Sequence, residues 1–193
     1  MVKGFLFVLN LDNIAMDNNY YFQIETERLI LRDMRSTDDV GMFELDSDAE
    51  VLKYLGREPV KSIDESRAII DLVRQQYIDN GIGRWVMTDK STNEFIGWAG
   101  LKFETAHINN MSGFYDLGYR LIKRYWGKGY ATEASCASVQ YAKNVLKLKE
   151  LYGMAHFDNH ASRNILTKVG MQFVNEFDYK GERHCNYKIV FGE

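Results

Sequence analysis

Leu117-Gly-Tyr-Arg-Leu-Ile-Lys-Arg-Tyr-Trp-Gly-Lys-Gly-Tyr-Ala-Thr-Glu-Ala134 runs from a strand-like stretch through a short basic turn and two glycines into a helical pattern. Unpaired backbone N–H groups gather where such a loop enters its helix. That end carries about half a positive charge, and glycines let an anion approach the backbone closely. The loop therefore reads as a diphosphate cradle spanning Gly127, Lys128, Gly129, Tyr130, Ala131 and Thr132. A tight strand-to-helix turn without a ligand has the same pattern. Two familiar versions are excluded: a P-loop needs Ser or Thr where Gly129 stands, and the dinucleotide fingerprint needs Gly or Ala where Thr132 stands. The second mismatch argues against a nucleotide-dependent oxidoreductase.

Outward from the loop, the hydrophobic period alternates between helical and extended. Arg28 to Arg32 reads as a strand. Three helix starts follow, each a Ser with an acid three residues on: Ser36/Asp39, Ser47/Glu50 and Ser62/Glu65. The third opens a helix stopped at Asn80-Gly81. Arg84 to Thr88 and Phe95 to Phe103 form a hairpin, followed by strand Gly113 to Leu121. Beyond the loop come helix Tyr130 to Leu146, strand Glu150 to Phe157, helix His160 to Val169 and two last strands. This order gives an α/β fold, a central mixed sheet with helices on both faces. No repeat or linker divides it, so residues 24–193 form one domain and 1–23 an extension.

The chain has 193 residues, 46% of them hydrophobic and 26% charged, which is the composition of a globular protein. Its net charge of -3 excludes a generally basic surface and argues against nucleic acid or anionic lipid as the partner. Two cysteines, Cys136 and Cys185, are too few for a disulfide framework and lack C-x-x-C spacing, which fits a cytoplasmic protein. No apolar run is long enough to span a membrane. His156-Phe-Asp-Asn-His160 lacks metalloprotease spacing, so no metal is expected. Trp85 and Trp98 read as hairpin core, with a pocket wall as the other reading.

Gly127 to Ala134, together with Asn159-His-Ala-Ser162 and Lys168-Val-Gly170-Met171, resembles the GCN5-related N-acetyltransferases (GNAT), in particular the branch of ribosomal-protein alanine N-acetyltransferases (RimJ/RimL-like). Thr26 to Arg32 and Phe95 to Trp98 share the likeness, which extends from about Glu25 to the C-terminus. Two registers of the family's loop signature compete; the one with Gly129 and Ala131 matches the branch and puts Trp126 at the usual basic position.

The resemblance implies a mostly antiparallel sheet with a splayed strand pair, acetyl-coenzyme A as cosubstrate and an amine as acceptor, in a monomer or homodimer. By the same resemblance the diphosphate lies on the 127–132 amides and the pantetheine arm pairs with the backbone of Tyr119 and Leu121. A bulge at Gly118 would permit the splay, although a strand glycine can equally ease a packing clash. An N–H near Leu121 would receive the oxyanion, and Asn159 would bond the pantetheine arm unless it is only a turn residue. Many relatives place a tyrosine acid where this chain has Leu166. Ser162 is then the candidate acid, or a hydroxyl satisfying the helix end. Asp116 is the candidate base acting through water, with Glu133 as runner-up or as a helix-dipole acid. The missing tyrosine also motivates an alternative, a non-catalytic coenzyme A-binding regulatory protein.

Overall fold

A computed structural model describes residues 8–9 and 22–192. One sheet of nine strands runs through them in the order β1-β2-β3-β4-β5-β6-β7-β9-β8. The strands are β1 (Val8–Leu9), β2 (Gln23–Glu25), β3 (Leu29–Arg32), β4 (Arg84–Asp89), β5 (Phe95–Glu104), β6 (Phe114–Leu121), β7 (Glu150–His156), β8 (Gln172–Tyr179) and β9 (Glu182–Val190). Neighbours pair antiparallel except β6 and β7, which are parallel because helix α4 (Tyr130–Asn144) carries the chain across between them. Helices α1 (Asp39–Ser47), α2 (Ala49–Leu52) and α3 (Ile63–Asn80) fill the connection from β3 to β4, and α5 (His160–Lys168) follows β7.

Alternation along β4 assigns the helices to opposite faces. Trp85 turns to α4, its ring 5.1 Å from that of Tyr141. Arg84, one residue earlier, lines a cavity with Met42 of α1 and Ile69 and Val73 of α3. Trp85 also stacks on Phe22 at 4.6 Å between ring centroids, a contact type worth about 1 kcal/mol beyond burial. Val8–Leu9 pairs antiparallel with β2, and Phe22 lies just before β2.

Of the three expected serine caps, only Ser62 serves, accepting from the Glu65 N–H at the start of α3. At α2 the cap is Asp48, which accepts from the Glu50 N–H, and Ser36 opens a 3₁₀ turn while Asp38 precedes α1. An Asp beside a Ser is an equally good cap, so the sequence pattern alone does not choose between them. Gly81, with φ 68°, ends α3 by donating to the Tyr77 carbonyl.

Candidate active site

The parallel pairing of β6 with β7 stops after Asp116↔Tyr152 and Leu117↔Gly153. On its other side β6 stays paired with β5 as far as Gly97↔Leu121, and β7 stays paired with β9 as far as His156↔His184. Between them opens a V-shaped cleft along the last four residues of β6, about 13 Å at strand rise. The Ile122 N–H donates to the Ile96 carbonyl at 3.0 Å, which fixes the alternation: even-numbered β6 residues bond to β5. Tyr119 and Leu121 therefore turn their backbone groups into the cleft, where no strand among the described residues meets them.

No bulge on β6 produces the splay, contrary to the expectation for Gly118. Its register with β5 is unbroken. Gly118 is small for another reason: a Cβ there would lie 2.6 Å from the Arg84 guanidinium, which crosses the strand at that point.

At the open end of the cleft the chain passes through a 3₁₀ turn, Lys123–Tyr125, and reaches the glycines. Gly127 and Gly129 have φ of 72° and 84°, left-handed values that side chains resist. Gly129 is the N-cap of α4 and supplies no side chain, so the first N–H groups of this 15-residue helix, at Tyr130, Ala131 and Thr132, carry no side-chain cap. Lys128 is exposed at the loop tip. The Trp126 indole N–H turns back to the Leu121 carbonyl at 2.8 Å, closing the turn and leaving that donor unavailable to an anion. These features fit a diphosphate bound by backbone.

Glu133 is not poised as a base. Its buried carboxylate accepts from the Thr26 hydroxyl at 2.6 Å, the Arg28 N–H at 2.8 Å and the Arg28 guanidinium at 2.7 Å. Arg28 also donates to the Lys128 carbonyl at 2.9 Å. Thr26 and Arg28, which sequence reading missed as site residues, thus brace the loop from the start of β3.

Across the cleft on the α5 side, the Tyr119 hydroxyl lies 2.9 Å from the Ser162 carbonyl and 3.0 Å from its Oγ. With its one proton on the carbonyl, the phenol accepts from the Ser162 hydroxyl. Burial pushes the phenol above its usual range. Ser162 does not cap α5. Asn159 does, its Oδ1 accepting from the Ser162 N–H at 3.0 Å, which leaves its amide N–H groups and a second lone pair for any ligand. Leu166 is core, 1% exposed.

Asp116 stands on the opposite face of β6, at the apex of the V. Its Oδ2 pairs with Arg84, and its Oδ1 is buried without a partner. Burial pushes its carboxyl above the ordinary Asp range, while the charge of Arg84 and its hydrogen bond hold it part-way back. Two residues on, Arg120 and Arg57 share the fully buried Asp46. Trp98 lines the same cavity, whereas Trp85 belongs to the core. Among the described residues no cluster suits a metal, and no helix is long and apolar enough to cross a membrane.

Residues 28–172 match the family described as the acetyltransferase (GNAT) domain. The chain belongs to the GNAT acetyltransferases. It is 31% identical over 149 residues to "Uncharacterized N-acetyltransferase YoaA" of Bacillus subtilis, covering 77% of this chain and 82% of that one. The ribosomal L7/L12 α-N-protein acetyltransferase RimL superposes with TM-score 0.73 at 15% identity, over 92% of this chain and 99% of RimL. Spermidine N-acetyltransferase from Vibrio cholerae, in complex with CoA and spermine, superposes with TM-score 0.67 at 20% identity, over 84% and 95%. The GNAT fold, with its mostly antiparallel sheet, is the one expected from sequence, and this enzyme is an N-acetyltransferase of a family that uses acetyl-CoA.

Proposed function

We propose that this GNAT enzyme transfers the acetyl group of acetyl-CoA to a primary amine by direct attack in a ternary complex. The observation that carries the reading is the cleft itself: a stretch of β6 from Tyr119 to Leu121 that no described strand pairs on the β7 side, leading from an uncapped, glycine-flanked helix terminus to an apex with an acid on one face and a hydroxyl pair on the other. The 127–132 amides hold the diphosphate, and the Tyr119 backbone pairs with the pantetheine amides as a neighbouring strand would. Acetyl-CoA supplies an activated thioester. The Leu121 N–H, its carbonyl already engaged by Trp126, is the donor for the developing oxyanion. Asp116, in its ionised form, takes the amine proton through water at its free Oδ1, with Arg84 partly offsetting the burial that favours the neutral acid. Ser162 passes its hydroxyl proton to the leaving sulfur as it takes one from water, with Tyr119 holding that hydroxyl in place.

The non-catalytic alternative rests on Leu166, whose side chain is consumed by the core and leaves the common acid position empty of chemistry. Turnover separates the two, because both bind coenzyme A and only the enzyme releases free thiol when an amine is added. Acetyl-CoA should raise the melting temperature by mass action. Gly129→Glu should abolish that rise by adding bulk and charge at a left-handed position, weakening binding by about a hundredfold or more. A folded Gly129→Glu protein that acetyl-CoA stabilises as well as wild type would remove the loop from the binding site.

A further inference from the structure

The turn that follows α2 crosses the splayed strands on the Asp116 face. Even-numbered residues of β6 and β7 share that face, because Asp116 stands opposite Tyr152, so Arg120 marks the β6 bank of the cleft and His156 the β7 bank. Tyr54 and Arg57, three positions apart, hold one bank each. The Tyr54 ring stacks on that of His156, 5.2 Å between centroids and 29° between planes. Arg57 reaches the Asp46 Oδ1 at 2.8 Å, and the same oxygen receives Arg120 at 2.6 Å. Between these anchors Leu55 is exposed, and Gly56 has a left-handed φ of 59° with nothing within 4 Å of where a Cβ would stand.

Both anchors can let go at little cost. Asp46 is fully buried, but Arg120, itself 15% exposed, balances its charge, as Arg84 does for Asp116. Arg57, at 35%, is the third cation, and its departure leaves no buried carboxylate without an ion-pair partner. An ion pair with so exposed a partner contributes little, and a single ring stack adds a comparable amount. Arg57 also lines the cavity of about 90 Å³ between the sheet and helices α1 and α3, so its release uncovers that cavity. A segment with two weak, separate holds and a free pivot between them belongs to the part of a fold that opens locally.

We propose that residues 54–57 are a strap across the acceptor side of the cleft, which lifts off His156 and Asp46 to admit the amine. The proposal rests on the transferase reading above, in which the acceptor approaches from the Asp116 face and acetyl-CoA from the glycine loop. The strap therefore governs acceptor entry and leaves coenzyme binding alone. Tyr54 is its specificity-determining residue, since the stack on His156 sets the width open to an incoming amine.

The test locks the strap. Tyr54→Cys/His156→Cys is made in a Cys136→Ala background, Cys185 being buried, and the two thiols are joined by a short bismaleimide. The same protein capped with two N-ethylmaleimide groups is the unlocked control. Butylamine and the amide of trialanine serve as acceptors, read by thiol release from acetyl-CoA and by calorimetric binding to enzyme saturated with coenzyme A. The locked protein should bind acetyl-CoA within about threefold of the control, yet lose about tenfold or more in kcat/KM for both amines and in their binding. Undiminished turnover in the locked protein, or loss of acetyl-CoA binding along with that of the amines, would overturn the strap. Should the double variant not fold, Tyr54→Ala replaces it: without the stack, kcat/KM for the trialanine amide should rise about threefold or more relative to butylamine, and an unchanged ratio would overturn the proposal. Amine binding abolished by the lock, with no thiol release in the control, would support the strap and overturn the transferase reading. Thiol release equal in locked and capped protein would do the reverse.

Discussion

The two faces of β6 carry opposite chemistry. On one, Asp116 and Arg120 stand among Arg84, Arg57 and Asp46, in a layer of paired charges over Trp98. On the other, Tyr119 meets Ser162, two neutral hydroxyls backed by the buried Leu166 of α5. A strand sends successive side chains to opposite sides, so residues adjacent in sequence work in unlike surroundings. The proposed mechanism makes use of that difference. The proton of the attacking amine is best removed by an anion on the side where the acceptor waits. The leaving thiolate is best protonated by a weak acid that stays neutral until needed. Under the proposed mechanism, separate faces would keep the base from quenching the acid.

Asp116→Asn tests the charged face and has the largest expected effect. The kcat should fall by about a hundredfold while acetyl-CoA binding stays within about threefold of wild type. Because burial raises the Asp116 carboxyl, it remains protonated, and useless as a base, to a higher pH than an exposed Asp. The acid limb of the wild-type pH–rate profile should thus lie above 3.8, activity rising as pH increases through it, and should vanish in the variant. A near-wild-type rate at neutral pH would take Asp116 out of the mechanism.

Ser162→Ala sharpens the contrast from the other face. Single-turnover transfer should slow by about ten- to a hundredfold with coenzyme binding retained. Because Asn159 already caps α5, the melting temperature should change little; a clear drop with an intact chemical step would make Ser162 structural. Tyr119→Phe is milder still. It removes the phenol that orients the Ser162 hydroxyl, and about a fivefold loss in kcat is expected, the equivalent of one neutral hydrogen bond. A loss as large as that of Ser162→Ala would instead make Tyr119 the proton donor.

Glu133→Gln should leave the chemical step alone. It weakens a buried carboxylate's bonds to a guanidinium that is 42% exposed, so the expected cost is about 1–2 kcal/mol, or a fall in melting temperature of about 2–8 °C. A changed pH profile with unchanged stability would return Glu133 to the list of bases.

What could be read from sequence follows the distance over which each signal acts. The glycine loop, the Asn159 to Ser162 segment and the Ser62 cap are local, because their geometry is set by residues within one turn. Arg57, Asp46 and Arg120 give no such signal. Each is an ordinary charged residue in its own segment, and only the packing of α1 and the α2 turn onto the sheet brings them together. Gly118 shows the same limit differently: its size answers to Arg84, 34 positions away in the chain. Tyr119 was expected to contribute backbone alone, since a strand tyrosine usually packs, and its hydroxyl contact comes from α5.

The brace at Glu133 has a consequence for the order in which the molecule is made. Thr26 and Arg28 are made more than a hundred positions before the helix they hold, so the brace has nothing to grip until the glycine loop has itself been synthesised and turned. Bringing such distant segments together bears a loop-closure cost that local turns avoid, which places this contact among the late steps of folding. A ligand on that loop has nothing firm to grip while the chain is being assembled. Once the first strands have docked, the same ligand holds the finished protein shut, slowing its opening without hastening its birth.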